Sequence, residues 1–464
     1  MEQVDLVVVG AGPAGMVAAS TAADAGLSVV LLDEQPAPGG QIYRAVVSGG
    51  AARAHILGKD YLEGTALAQK FFGSTARYLR GAVVWNIAPR EIFEITYSQA
   101  GRPAQIAAKR LLLATGALER PVPLPGWTLP GVMTAGAGQI LLKASGVVAP
   151  RAVLAGSGPL LYLLAVQMAR AGTPPLALIE TQSWRDQFAA VPKLASGLSG
   201  WRTLLKGIGL LAELRRHGIR RVTGVRDLEV IGTDRAEGLR FTSKGRVQEI
   251  PCDTVLLHQG VVPNTQASRA LGLEHDWHEG QRAFVPQTDT WGETSCKGIF
   301  IAGDGAGIAG AKAAIAAGKL AGLQIVHQLG ALDQATRNEE ARPAAKELQA
   351  ECSLRPFLEA AYPVAGQVLA PADATLICRC EEVTAGDVRK WAALGCKGPN
   401  QTKAFGRVGM GPCQGRFCGL TVTEILARSH NMAQSDIGAY RIRMPLKPIT
   451  LGELSALDAQ DAAE

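Results

Sequence analysis

The sequence predicts an α/β chain built on two Rossmann-like dinucleotide-binding units, with a small, mostly helical C-terminal domain that carries paired cysteines. Three observations predict it. An apolar run at 4–9 leads into the glycine turn GAGPAG at 10–15. RAVLAGSGPLL at 151–161 repeats that pattern in weaker form. Cys378, Cys380, Cys413 and Cys418 gather near the end of a chain of 464 residues. At about 100–200 residues per domain, this length carries two to four domains.

Composition narrows the function classes. Glycine is abundant at 54 residues and aromatics are sparse at 5%, which suits α/β units whose backbone passes close to ligands. The net charge of +6 is spread without a Lys/Arg block, so no nucleic-acid-binding surface is expected. No apolar run reaches the ~18 residues that span a bilayer. The opening MEQVDLVVVGAG moves from an acidic residue straight into a strand, unlike a signal peptide. A cytoplasmic protein is expected. In a reducing compartment eight cysteines read as metal ligands, redox groups or core fillers before disulfides.

The first unit follows from its turn. Gly10 permits the tight bend, Gly12 lets the backbone approach a pyrophosphate, and Gly15 lets helix pack on strand, with Pro13 and Ala14 in the same loop. An Ala-rich helix runs to about residue 25, and LSVVLLDE forms the second strand. An acid about 20 positions beyond the turn binds adenosine ribose hydroxyls in such units; Asp33 and Glu34 both stand there. A lone G-x-G-x-x-G can be merely a turn. Here strand, helix, second strand and acid fall together.

GIFIAGDGAG at 298–307 is an apolar strand ending in Gly303-Asp304, followed by a small-residue helix. Read alone, it is a buried strand with a capping aspartate. It also resembles the second FAD motif of two-dinucleotide-binding-domain flavoproteins of the pyridine nucleotide-disulfide reductase type. That resemblance implies FAD, with Asp304 at the ribitol chain and the next helix N-terminus towards the flavin. LLLATGALERPVPLPG at 111–126, with Ala114, Thr115 and Gly116, resembles the strand leading out of the FAD domain. TVLLHQGVVPNT at 254–265 resembles its counterpart at the return. PAPGGQIYR at 36–44, with Gly40, Gln41 and Arg44, resembles the segment that passes along the flavin.

In the middle unit Gly156 and Gly158 keep the first two glycine positions, while Leu161 takes the third. Two readings stay open: a retained fold without a nicotinamide nucleotide, or a live NAD(P) site with Glu180 on the ribose. No redox cysteine pair accompanies this part; Cys252 and Cys296 stand alone and are expected as buried small hydrophobes. The basic amphipathic segment WRTLLKGIGLLAELRRHGIRRV at 201–222 also has two readings. It docks on a membrane surface near a quinone pool, or it is an ordinary surface helix with Leu204, Leu205, Leu211 and Leu214 facing the core.

Four thiolates can hold Zn²⁺ or a [2Fe–2S] cluster, and ligand count does not decide. The C-x-C half is tight for a zinc knuckle and the C-x₄-C half is loose. The arrangement C-x-C, helical spacer, C-x₄-C resembles the helical [2Fe–2S] domain of bacterioferritin-associated ferredoxins (BFD-like). That resemblance implies Cys378, Cys380, Cys413 and Cys418 as cluster ligands, with Cys396 spare.

Over nearly its whole length the chain resembles the alpha or A subunits of heteromeric bacterial flavin/[2Fe–2S] amine dehydrogenases, the group of opine oxidase, D-hydroxyproline dehydrogenase and hydrogen cyanide synthase. The resemblance implies a hetero-oligomer in which a D-amino-acid-oxidase-like flavin subunit oxidises the amine. This chain then carries electrons through FAD and the cluster to a quinone pool or a small ferredoxin-like subunit. It also allows a further flavin, FMN, at a subunit interface. No acid or base of this chain is expected to be catalytic. The expected division is an FAD-binding domain at 1–119 and 284–328, a degenerate NAD-binding-like domain at 120–283, a helical linker at 329–370, the BFD-like domain at 371–440 and a tail at 441–464. A self-sufficient NAD(P)H-dependent reductase and a nucleotide-holding scaffold are the alternatives.

Overall fold

The computed structural model describes residues 1–50, 52–194 and 201–461. Its first sheet grows from the strand Glu2–Val9, in which Leu6, Val7 and Val8 are fully buried. A strand covered on both faces needs such an unbroken apolar run, and parallel neighbours supply the cover. Val29–Asp33 pairs parallel on one side and Arg102–Leu113 on the other. The twelve-residue strand Arg102–Leu113 serves two further partners. Its first part pairs antiparallel with Phe93–Gln99, and its last residues pair parallel with Ile299–Ile301. The strand that carries GIFI is thereby brought back, from almost two hundred residues away, to the mouth of the first glycine turn.

Two small-residue helices cover this sheet. Pro13–Asp24 and Ala311–Gln328 lie against each other so closely that a Cβ on Gly318 would sit 2.3 Å from the Ala14 carbonyl oxygen. A Cβ on Gly322 would sit 3.0 Å from Thr21 Cβ. The glycines are thus a packing requirement, independent of any ligand.

The second sheet is all parallel, in the order Arg221–Thr223, Ala177–Glu180, Ala152–Ser157, Thr254–Gln259, Val132–Thr134. A three-stranded antiparallel sheet, Arg226–Ile231, Gly238–Ser243 and Arg246–Pro251, closes one side of it. Leu161, at the third glycine position, is completely buried between helix Pro159–Arg170 and this sheet. Cys252 is fully buried as expected, whereas Cys296 is only half-buried at the edge of the first core.

Helix Gln334–Ser353, capped by Asp333, lies along Ala311–Gln328. Ala341 is its buried contact, and Arg337 stacks 4.3 Å over the Trp291 ring. The cysteine region contains helices Ala385–Ala393, Pro399–Gly406 and Gly419–His430. Its core is continuous with that of the first sheet: Ile377, Val422 and Ile425 belong to one apolar cluster with Ile95, Leu111 and Ile299. The last segment does not trail away. Leu446 N donates to Trp85 O at 2.7 Å, Lys447 pairs with Glu34, and helix Leu451–Asp461 follows along the Arg102–Leu113 strand. Among the described residues no helix is long and apolar enough to cross a membrane.

Candidate functional site

The residues singled out around the first glycine turn converge on one place. Gly10 has φ 107°, and a Cβ there would meet the Ala114 carbonyl oxygen at 2.4 Å. Gly15 faces Gly10: its Cβ would lie 1.9 Å from the Gly10 carbonyl oxygen. Gly303 (φ 78°) lies against Ala14, with 3.1 Å from its hypothetical Cβ to that of Ala14. Gly12 differs from these. A Cβ on it would meet nothing nearer than Gly40 Cα at 4.0 Å, so its open side is space for a ligand at the N-terminus of helix Pro13–Asp24.

The acids divide. Asp33 Oδ2 accepts from Ala11 N at 2.5 Å and Oδ1 from Gln35 N at 2.6 Å, which ties the second strand to the turn. Burial raises its carboxyl above the usual range, against the pull of those two donors. Glu34 points to the surface and pairs with Lys447. Arg44 shares the site, its Nη2 bonded to Gln41 Oε1 at 3.0 Å, while its Nε is buried with no hydrogen-bond partner. An orphaned guanidinium nitrogen beside an open glycine cradle fits an anionic nucleotide. Asp304 Oδ1 accepts from Ala309 N at 3.0 Å and Gly310 N at 2.9 Å, just before helix Ala311–Gln328.

Sequence reasoning missed Lys143, on helix Ala135–Ser145. Its Nζ donates to Ile42 O at 2.9 Å, Gln41 O at 3.2 Å and Gln139 Oε1 at 2.9 Å. Burial, helped by the Arg44 charge, pushes this amine down to about 7. The signal was a lysine inside the apolar helical stretch QILLKAS.

In the middle unit a side chain lies against the glycine turn. His258 Nε2 lies 3.1 Å from where a Gly158 Cβ would stand, so the imidazole rests on the turn. Its Nδ1 is 2.6 Å from Glu119 Oε1. Glu180 is fully buried and accepts from Tyr162 Oη at 2.5 Å, Gln182 Nε2 at 2.5 Å and Arg221 Nε at 2.8 Å.

The four thiols form two pairs. Cys380 Sγ and Cys413 Sγ are 3.7 Å apart, and Cys418 hydrogen-bonds Cys378. Two thiolates on one tetrahedral ion with metal–sulfur bonds of about 2.3 Å lie about 3.8 Å apart, so the Cys380–Cys413 spacing is compatible with a shared metal. Among the described residues no three His, Cys, Asp or Glu side chains converge as a single-ion site. The bond from Cys418, helped by backbone N–H groups, holds the Cys378 thiol down at about 6 and pushes Cys418 up. Gly411 leaves room for Cys380, whose Cβ lies 2.2 Å from where a Gly411 Cβ would be.

The span 264–266 joins the two sites. Asn264 N donates to Gly116 O at 3.0 Å and Thr115 Oγ1 donates to Asn264 O at 3.2 Å. Two residues on, Gln266 Nε2 donates to Cys413 O at 3.4 Å. Beside Cys413 opens a cavity of about 840 Å³ whose lining includes Lys403, Arg407, Arg441 and Arg443. Arg407 pairs with Glu381 at 2.9 Å; among the described residues no carboxylate pairs with Arg441 or Arg443.

Known proteins match both halves. Residues 4–318 match the pyridine nucleotide-disulphide oxidoreductase family, and residues 373–458 match the sarcosine oxidase A3 domain, a span that includes all four paired cysteines and Lys447. The chain is similar to the A subunit of opine oxidase from Agrobacterium tumefaciens (strain Ach5), 45% identical over 98% of this chain and 92% of that one. It is similar to hydrogen cyanide synthase subunit HcnB of Pseudomonas aeruginosa, 34% identical over 98% and 99% of the two chains. Its fold is that of L-proline dehydrogenase from P. horikoshii: TM-score 0.69 at 20% identity, covering 98% of this chain and 80% of that one. Two nucleotide-binding units on one scaffold, a cysteine domain fused to the first of them, and this identity along the whole length place the chain among the pyridine nucleotide-disulphide oxidoreductases, in the family of opine oxidase A subunits.

Proposed function

We propose that this chain is the electron-transferring subunit of a hetero-oligomeric flavin-dependent oxidoreductase acting on amine or imino-acid C–N bonds, of the opine, D-hydroxyproline or glycine type. FAD at the first glycine turn and a [2Fe–2S] cluster on the four cysteines supply two-electron acceptance and one-electron relay when bound. The observation that carries this reading is the span 264–266, which bonds the Thr115–Gly116 strand end to the Cys413 loop. A donor site and an acceptor site coupled through three consecutive residues suit electron passage.

The chain's own groups have separate tasks. Gly12 and the first turn of Pro13–Asp24 receive the pyrophosphate, Arg44 adds a cation, and Asp304 shapes the turn that presents the N-terminus of Ala311–Gln328. The cysteine pairs hold the cluster in a core continuous with the first sheet, which fixes its distance from the nucleotide site. The cations Lys403, Arg441 and Arg443 beside Cys413 suit the phosphate of a further flavin, FMN, shared with a D-amino-acid-oxidase-like partner protein.

Reduction by NAD(P)H is disfavoured because His258 rests on the Gly158 turn and Glu180 is consumed by its own network. The test is an anaerobic visible and EPR titration of the chain with its co-purifying subunits. Added amine substrate should bleach the flavin and raise a reduced [2Fe–2S] signal, while NADH should do neither. Zinc in place of iron would remove the relay, and bleaching by NADH would favour the self-sufficient NAD(P)H-dependent reductase instead.

A further inference from the structure

Tyr440 carries a buried hydroxyl that its protein neighbours leave unused. The residue is 4% exposed, and among the described residues its Oη has no hydrogen-bond partner. The polar groups beside that oxygen are Thr402 and the sulfurs of Cys418 and Cys378. Thr402 Oγ1 already gives its proton to Pro399 O at 2.6 Å. A neutral thiol is a weak acceptor, and a buried donor without an acceptor is destabilising.

The surrounding chain nonetheless holds the ring firmly in this place. Asn400 grips the backbone on both sides of Tyr440: its Nδ2 donates to Ala439 O at 3.1 Å, and its Oδ1 accepts from Arg441 N at 2.8 Å. Thr423, on the helix that follows Cys418, donates to Gly438 O at 2.9 Å. The ring then fills space that three glycines around the second cysteine pair leave free. A Cβ on Gly415 would stand 2.4 Å from Tyr440 Cδ2, one on Gly409 2.5 Å from Cζ, and one on Gly419 3.3 Å from Cδ2. Lys403 Nζ lies 4.9 Å from the ring centre, and a cation over the face of a phenol makes its hydroxyl a better donor.

Packing accounts for the ring but not for the oxygen. A phenylalanine would fill the same space between the glycines, so the hydroxyl answers to something else. Cysteine sulfurs that hold a metal are thiolates, and thiolates accept hydrogen bonds well.

We propose that Tyr440 donates its hydroxyl hydrogen to the Cys418 sulfur of the bound [2Fe–2S] cluster and thereby raises the reduction potential of that cluster. The proposal rests on the four cysteines being the cluster ligands. One-electron reduction adds negative charge that the sulfurs share, and a donor aimed at a sulfur stabilises the reduced form more than the oxidised one. Tyr440 is thus a positioning residue: it binds no iron, and it makes the cluster a better acceptor for electrons leaving the flavin.

The test is a redox titration of the protein with its co-purifying subunits, read by EPR of the reduced cluster, in the wild type and in Tyr440→Phe. Iron content and signal amplitude at full reduction should be equal in the two. The midpoint of the variant should move to lower potential. At a fixed potential the ratio of reduced to oxidised cluster should fall roughly tenfold, which is about 59 mV for a one-electron couple. Asn400→Ala frees the backbone on both sides of Tyr440 and should shift the midpoint the same way by less; it serves as the second probe if the phenylalanine variant loses iron. With iron present, an unchanged or raised midpoint in Tyr440→Phe overturns the proposal, as does an unchanged midpoint in Asn400→Ala. Zinc in place of iron in the wild type would overturn the reading of the cysteines, and the task of the tyrosine with it.

Discussion

Replacing Glu180 by Ala separates a structural acid from a nucleotide ligand. In the structure its carboxylate has no exposed surface and takes hydrogen bonds from Tyr162, Gln182 and Arg221. Removing one member of a buried ionic network costs about 3–5 kcal/mol, because the remaining partners stay desolvated. Arg221 keeps 22% of its side chain exposed and can turn towards water, which places the cost near the lower end, about 3 kcal/mol. Gln182 Oε1 is already buried without a partner, so its amide gains nothing in exchange. The strands Ala152–Ser157 and Ala177–Glu180 meet at Gly156 and Glu180, and their amides report the loss. A drop of about 3 kcal/mol in the free energy of opening speeds their hydrogen exchange roughly 100-fold. Exchange read by mass spectrometry, beside an NADH titration of the flavin, is the assay. Unchanged exchange together with loss of an NADH response present in the wild type would refute the reasoning, since Glu180 would then be serving a nucleotide.

Two glycines of the first turn should fail differently. Gly15→Ala drives a methyl into the Gly10 carbonyl and should lower both thermal midpoint and flavin content, whereas Gly12→Ala has room and should fold normally with flavin content reduced roughly tenfold. Cys380→Ser or Cys413→Ser should bring iron, measured by plasma emission, to background with flavin retained; Cys352→Ser, an exposed thiol elsewhere, should leave iron unchanged. Lys143 gives a pH test. With its amine held at about 7 in the fold and ordinarily at about 10.4, the unfolded chain binds a proton that the folded one releases. The burial penalty is therefore full below pH 7 and fades as pH rises towards the ordinary lysine value. Denaturant unfolding should show the wild type gaining about 2 kcal/mol relative to Lys143→Met between pH 7 and 9.

Local chemistry was legible in the sequence wherever a residue answers to its own neighbours. Gly10 and Gly15 declare a turn whose carbonyls leave no room for Cβ, and the strand–Gly–Asp sequence at 298–304 declares its return to the same place. What stayed illegible depends on contacts across many residues. Leu161 marked the middle turn as a departure from the three-glycine pattern and left two readings of it open, while the group resting on that turn, His258, lies about a hundred residues further on, at a strand position that reads only as buried. Leu214 is buried and Leu211 packs on the same cluster, but Leu205 is 56% exposed. The direction of Leu205 could not be read because the 201–216 helix carries apolar residues on two faces, and either could have been the core face. The last residues mix Pro with an acidic end, which allows a segment lying across a partner as well as a partly loose one. Yet Gln414 and Arg416 bond the Pro445 and Leu446 carbonyls and carry the segment onto the first sheet. A tail becomes ordered when its backbone groups find partners, and those partners are visible only in three dimensions.

The middle unit also braces the first, through a chain of hydrogen bonds. Glu119, where the chain leaves the first unit, holds His258 with Oε1 and accepts from Gly136 N at 2.6 Å with Oε2. That fixes the start of helix Ala135–Ser145. Two turns later Lys143, on the same helix, holds the carbonyls of Gln41 and Ile42. Gln139 braces the lysine and is itself bonded to Gln167 on the next helix, at 3.0 Å. A path of hydrogen bonds thus runs from the second sheet to the segment Pro36–Arg44, whose glycines at 39 and 40 have positive φ, and adds to the bonds Gly39 N to Ala11 O and Tyr61 Oη to Arg44 O that also hold it. The same carboxylate that holds His258 on the Gly158 turn thus anchors the helix whose lysine holds the Pro36–Arg44 segment, so a displacement of His258 would be felt at the first glycine turn.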